Sequence, residues 1–172
     1  MSLLEGLPLD KLTPARLWAE LDAETRRAAA RCLYDPALDD PGSRAEADLA
    51  ISAALRFRPL AVRRLPLDKR VDYLSRVVSP GDSLAASLLR ALHLAERREM
   101  LGLFLDRLGI PHRDGVIDGD HEPAAPDAQA LRAAAEALRG RFERAEVDLY
   151  LASLLALDPE FWSGVADCLR RA

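Results

Sequence analysis

Nowhere does this sequence approach a run of about 18 uninterrupted apolar residues, so it predicts no membrane-spanning helix and no membrane partner. Its opening stretch, MSLLEGLPLDK, has neither the basic start nor the long apolar centre of a secretory leader, and none is expected. Aromatic residues make up only 5%, which suits closely approaching helices and leaves thin support for stacking single-stranded bases, with Phe57 and Tyr73 alone in the basic segment. The two cysteines, Cys32 and Cys168, sit at apolar-face positions of helical patterns, and read as small buried hydrophobes in a reducing, cytoplasmic setting.

Strand signals are also scarce. The longest β-branched runs, RVV at 76–78 and GVI at 115–117, are too short to build a sheet. Catalytic signatures are missing as well. There is no G-x-S-x-G, no H-x-x-x-H, no glycine-rich loop with a P-loop lysine, and no Glu-x-x-His of a di-iron bundle. His93-x-x-Glu96 is the reversed order and occurs once. No period of about 20 to 50 residues survives inspection, although LPLDK occurs at 7–11 and again at 65–69.

What remains is helical. At 172 residues, with 49% apolar and 30% charged residues, the chain has the length and composition of one globular domain. Pro14 follows Thr13, a good N-cap, and apolar residues at helical spacing continue to Leu33. Pro36 and Pro41 interrupt. Ser43 with Glu46 suggests a capping box for a second helix, whose inward stripe reads Ala47, Ala50, Ile51, Ala54 and Phe57. Pro59 and Pro66 divide two short pieces, 59–65 and 67–78. The longest helix is expected from Asp82 or Ser83 to Leu108, ended by Gly109 and Pro111. Three more follow at 127–139, 144–157 and after Asp158–Pro159.

The expected fold is therefore all-α: about seven helices in an irregular bundle, or a short stack of antiparallel hairpins that is HEAT-like only loosely. The domain reading is a single domain over 1–172, with a long connector at 110–125 between a five-helix part and a three-helix part.

Two segments carry candidate function. From Arg56 to Arg76 there are seven basic residues against Asp68 and Asp72, although the chain as a whole carries −4. Guanidinium groups at that density suit an acidic protein surface or phosphate, and Arg56, Arg58, Arg63, Arg64, Lys69 and Arg70 are the candidate partner-binding residues. The second is the connector RLGIPHRDGVIDGDHEP at 107–123, where His112, Asp114, Asp118, Asp120 and His121 are able to ligate a cation. Its spacing fits neither zinc nor calcium. The histidines are nine apart without helical spacing, and counting from Asp114 the twelfth position of a calcium loop holds Ala125 rather than Glu. Asp and Gly also dominate turns for local backbone reasons, and Val116 and Ile117 are expected to pin the connector to the core.

The leading reading is a non-enzymatic interaction or adaptor protein that binds another protein and needs no cofactor. A metal- or small-ligand-binding protein, or an enzyme, built on 112–122 is the alternative; nucleic-acid binding through 56–76 is the second. A homodimer also fits, because DLYLASLLAL at 148–157 is apolar nearly all round.

Overall fold

The computed structural model of the chain describes residues 8–117 and 123–170. Among them are ten α-helices, two short 3-10 turns and one two-stranded hairpin, so the all-α class holds with more and shorter helices than the sequence predicts. No helix among the described residues is long and apolar enough to cross a membrane. The chain forms two compact units, Pro14–Ala95 and Met1–Thr13 with Glu96–Ala172. The division falls at 95/96, and the connector 110–125 lies inside the second of these.

The Pro14–Ala95 unit holds α1 (Pro14–Glu20), α2 (Ala23–Leu33), α3 (Pro41–Leu55), α4 (Pro59–Arg63), α5 (Leu67–Arg76) and α6 (Asp82–Glu96, save its last residue). The single helix expected over 14–33 is two helices. Asp22 breaks it by acting as N-cap of α2, accepting the Thr25 N–H at 2.7 Å and the Thr25 hydroxyl at 3.0 Å. The start of α3 lies earlier than the expected capping box. Asp40 accepts the Ser43 N–H at 3.0 Å with Pro41 in the first turn, and Glu46 instead accepts a hydrogen bond from the Ser83 hydroxyl at 3.2 Å. Asp82 opens α6 and accepts the Ala15 N–H at 3.0 Å, satisfying a free donor at the start of α1 from 67 residues away.

In this unit α2 packs on α5, and α3 packs on both α4 and α5. Leu17, Leu33, Ile51, Val62, Val71, Leu74, Leu88 and Leu92 are buried. The inward stripe of α3 is Ala47, Asp48, Ile51 and Ser52. Ala54 and Phe57, expected inside, are exposed, because the face that meets α4 and α5 is turned about a quarter of a turn from the one that apolar residues alone suggest. Asp48 is accommodated there by partners: it accepts the buried Tyr34 hydroxyl at 2.8 Å and pairs with Arg70 at 3.4 Å, and the Arg70 guanidinium lies over the Tyr34 ring, 4.7 Å from its centre.

The other unit holds α7 (Arg98–Leu108), the hairpin strands β1 (His112–Arg113) and β2 (Val116–Ile117), α8 (Ala128–Arg139), α9 (Arg144–Leu157) and α10 (Val165–Arg170). The helix expected to run unbroken to Leu108 leaves helical geometry at Arg97, with φ −129° and ψ 24°. No glycine or proline marks that break. Arg97 has its side chain largely buried, with Glu146 of α9 at 3.8 Å, so a long-range contact fixes the residue. Gly109 ends α7 as expected, with φ 66° and the Ile110 N–H returning to the Leu105 carbonyl at 3.0 Å.

Around this unit's centre Phe104 meets Tyr150 edge-on at 5.5 Å and Trp162 at 5.8 Å. Most of α9 is buried, so the apolar run at 148–157 forms the middle of the unit, against α8 and α10. Its buried Asp148 is held by Arg139 at 2.8 Å and Arg144 at 3.6 Å. Cys32 and Cys168 are both buried.

Candidate docking surface

The basic segment is organised by the turn between α3 and α4. Arg56 caps α3 in the left-handed region, φ 55°. Its own N–H and that of Phe57 return to α3 carbonyls, and the Ser52 hydroxyl donates to the Phe57 carbonyl at 2.6 Å. The backbone on both sides of Phe57 is thus tied to α3, while its side chain is 44% exposed. Pro59 then starts α4 at a position where its missing N–H costs nothing.

In α4 only Val62 is buried, with no exposed surface at all. At 100° per residue, Leu60 and Arg64 both fall on the face opposite Val62, one turn apart. Leu60 is 59% exposed, and Arg56, Arg58, Arg63 and Arg64 are all exposed. The result is an elbow that presents a fixed phenyl ring and an isobutyl group among four guanidinium groups.

The acidic residues of the segment do not neutralise this elbow. Asp68 pairs with Arg31 at 2.7 Å and Asp72 pairs with Arg27, both from α2. Among the described residues no carboxylate of this chain lies within ion-pair reach of Arg56, Arg58, Arg63, Arg64 or Lys69. Arg70 differs from the other candidates: it is half-buried and engaged by Asp48 and Tyr34, so its charge belongs to the interior of the unit rather than to the exposed set. Phe57 entered the sequence reading as a core residue, and Leu60 and the exposed Leu49 of α3 were not marked at all. The signal for Leu60 was present in its four-residue spacing from Arg64 and its two-residue offset from Val62.

The connector has been used for structure. Asp114 and Gly115 form its turn with φ 52° and 84°, as Asp-Gly does in a tight antiparallel hairpin, and His112 pairs with Ile117 and Arg113 with Val116. This hairpin was missed because two residues per strand give no alternation, although the Asp-Gly signal stood in the sequence. Both ring nitrogens of His112 are occupied: Nδ1 accepts the Gly115 N–H at 3.2 Å, and Nε2 lies 3.1 Å from an Asp106 carboxylate oxygen. Asp114 is exposed at the turn. Asp118, Asp120 and His121 lie outside the described residues. No group of three or more metal-ligating side chains occurs among the described ones. Of the two residues expected to pin the connector, Ile117 is half-buried and Val116 is 50% exposed; Ile110, which is buried, and Gly115, which lies against Leu101, hold it as well.

Comparison with protein-family models, with curated proteins and with solved structures finds no match for this chain.

Proposed function

We propose that this chain is a non-enzymatic interaction protein whose α3–α4 elbow docks another protein that carries an acidic surface. The observation that carries the reading is the pairing of Phe57 and Leu60, both exposed, with four arginines that have no carboxylate partner among the described residues. Phe57 and Leu60 are 44% and 59% exposed, so covering what remains is worth roughly 1–1.5 kcal/mol each. Arginine forks matched to carboxylates add charge-assisted hydrogen bonds and set register. Interfaces concentrate their energy in such aromatic and arginine anchors. Cys32 and Cys168, buried as small hydrophobes, fit a cytoplasmic setting.

A photoreactive residue in place of Leu60 tests this in cells. Covalent protein adducts are expected at position 60, few at position 116, which is also exposed, and loss of the adducts at 60 when Arg58, Arg63 and Arg64 are reversed to Glu. Equal adducts at both positions, or adducts that survive the reversal, would overturn the reading.

A further inference from the structure

The exposed apolar surface does not stop at the elbow. On α3, Leu49, Ala53 and Arg56 are spaced i, i+4 and i+7, which places them on one face, opposite the buried Ile51. Leu49 is 54% exposed and Ala53 is exposed. This stripe covers about 10 Å along the helix, or two turns. It runs from a leucine over a small residue to a guanidinium, and ends beside Phe57.

We infer, resting on the docking reading above, that the element this surface takes is an acidic amphipathic helix of about two turns, with its apolar side chains over Leu49 and Ala53 and its carboxylates over Arg56 and Arg58. A large side chain followed by a small one leaves a notch that accepts a knob from a helix lying alongside, and such ligands are read through anchors at i, i+3, i+4 and i+7. An extended peptide has no counterpart here, because it adds to an open sheet edge and α3 keeps its backbone bonds to itself. Nucleic acid supplies phosphates for the arginines but nothing apolar for Leu49, Ala53 and Leu60. An anionic bilayer or a duplex also extends past the patch. Seven basic and two acidic residues give segment 56–76 a charge of +5 within a chain of −4, which leaves −9 on all other residues. A wide polyanion meets that charge, and a two-turn helix does not.

The test is selection of random peptides of about four helical turns on the full chain, with the Leu49→Glu/Phe57→Ser variant as counter-target. Both positions are exposed, so the variant keeps its far-UV circular dichroism. Selected peptides are expected to be rich in Asp and Glu with apolar residues at helical spacing, and to lose about tenfold or more in affinity when scrambled at constant composition. Acidic peptides that bind equally well scrambled would overturn the helix while leaving the protein-docking reading standing. No enrichment over the counter-target would overturn both. So would binding of phosphatidylserine vesicles or duplex DNA that the two substitutions abolish, in the absence of peptide binding.

Discussion

Replacing Gly115 by alanine tests whether the connector is structural. A Cβ at position 115 falls 2.6 Å from the Leu101 Cβ, closer than two carbons can sit, and that atom is held by the α7 backbone and cannot swing away as a side-chain end can. The backbone there has φ +84°, which an L-residue adopts at a cost of about 1–2 kcal/mol. Overpacking against a fixed neighbour adds roughly 1–3 kcal/mol, so the substitution is expected to destabilise this unit by about 3 kcal/mol. Gly109→Ala is the control. It has φ +66° but meets nothing within 4 Å, so it keeps only the backbone term, about 1 kcal/mol. Trp18 and Trp162 lie in different units, so urea unfolding followed by tryptophan fluorescence in a Trp18→Phe background reports the unit that holds the hairpin. The two substitutions should shift the midpoint by amounts that differ about threefold, at unchanged slope. Equal shifts would show that the hairpin does not pack on α7 as described, and the structural explanation of the connector would fail.

Three further outcomes are expected. Asp148→Ala leaves Arg139 without the buried carboxylate that faces it, with only its 3.1 Å bond to the Cys168 carbonyl in place; a loss of about 3 kcal/mol is expected in the same unfolding assay, and a loss under about 1 would refute the pairing. His112→Ala should cost about 1 kcal/mol through its bonds to Gly115 and Asp106, equally with EDTA or with added Zn²⁺; a stabilisation by Zn²⁺ that the substitution removes would restore the cation reading. Burial first, and then the bond to Asp48, raises the Tyr34 phenol above its ordinary value, and burial raises Tyr150 likewise. A group whose folded pKa is raised contributes stability that is complete below its unfolded value and is lost above it, so stability should decline from about pH 10 upward, less steeply in Tyr34→Phe. The Thr25 and Ser43 N–H groups hold the Asp22 and Asp40 carboxyls low, so their contribution is present above about pH 4 and fades as pH falls further; unfolding midpoints that stay flat across both limbs would contradict these assignments.

Reading the sequence recovers the fold class because amphipathic spacing and Pro or Gly stops are local properties. Gly109 ends its helix where expected. Asp158 accepts the Phe161 N–H at 3.0 Å as an N-cap would, but it closes α9, and 159–164 stay in turns, so the last helix starts at Val165 rather than at Pro159. Breaks set by distant partners were not legible. The break at Arg97 goes with a contact to Glu146 on another helix, whereas the start of α1 at Pro14 was legible and only its partner Asp82 was not. The face of α3 was misjudged for a related reason. Asp48 and Ser52 turn inward only because Tyr34, Arg70 and the Phe57 carbonyl wait there, and a pattern of apolar letters gives such partners no weight. The density of positive charge at 56–76 was visible in the sequence, whereas its division into a buried Arg70 and an exposed elbow, and the capture of Asp68 and Asp72 by α2, needed the packing of α2 on α5.

The central claim is that the elbow is the docking surface, and side-chain oxidative footprinting of the full chain with and without a selected peptide bears on it most directly. Protection is expected at Phe57 and Leu60, with Val116 unchanged, and it should vanish when Arg56, Arg58, Arg63 and Arg64 are reversed to Glu. Protection centred on the hairpin, with Phe57 and Leu60 still oxidised at their free rate, would contradict the account.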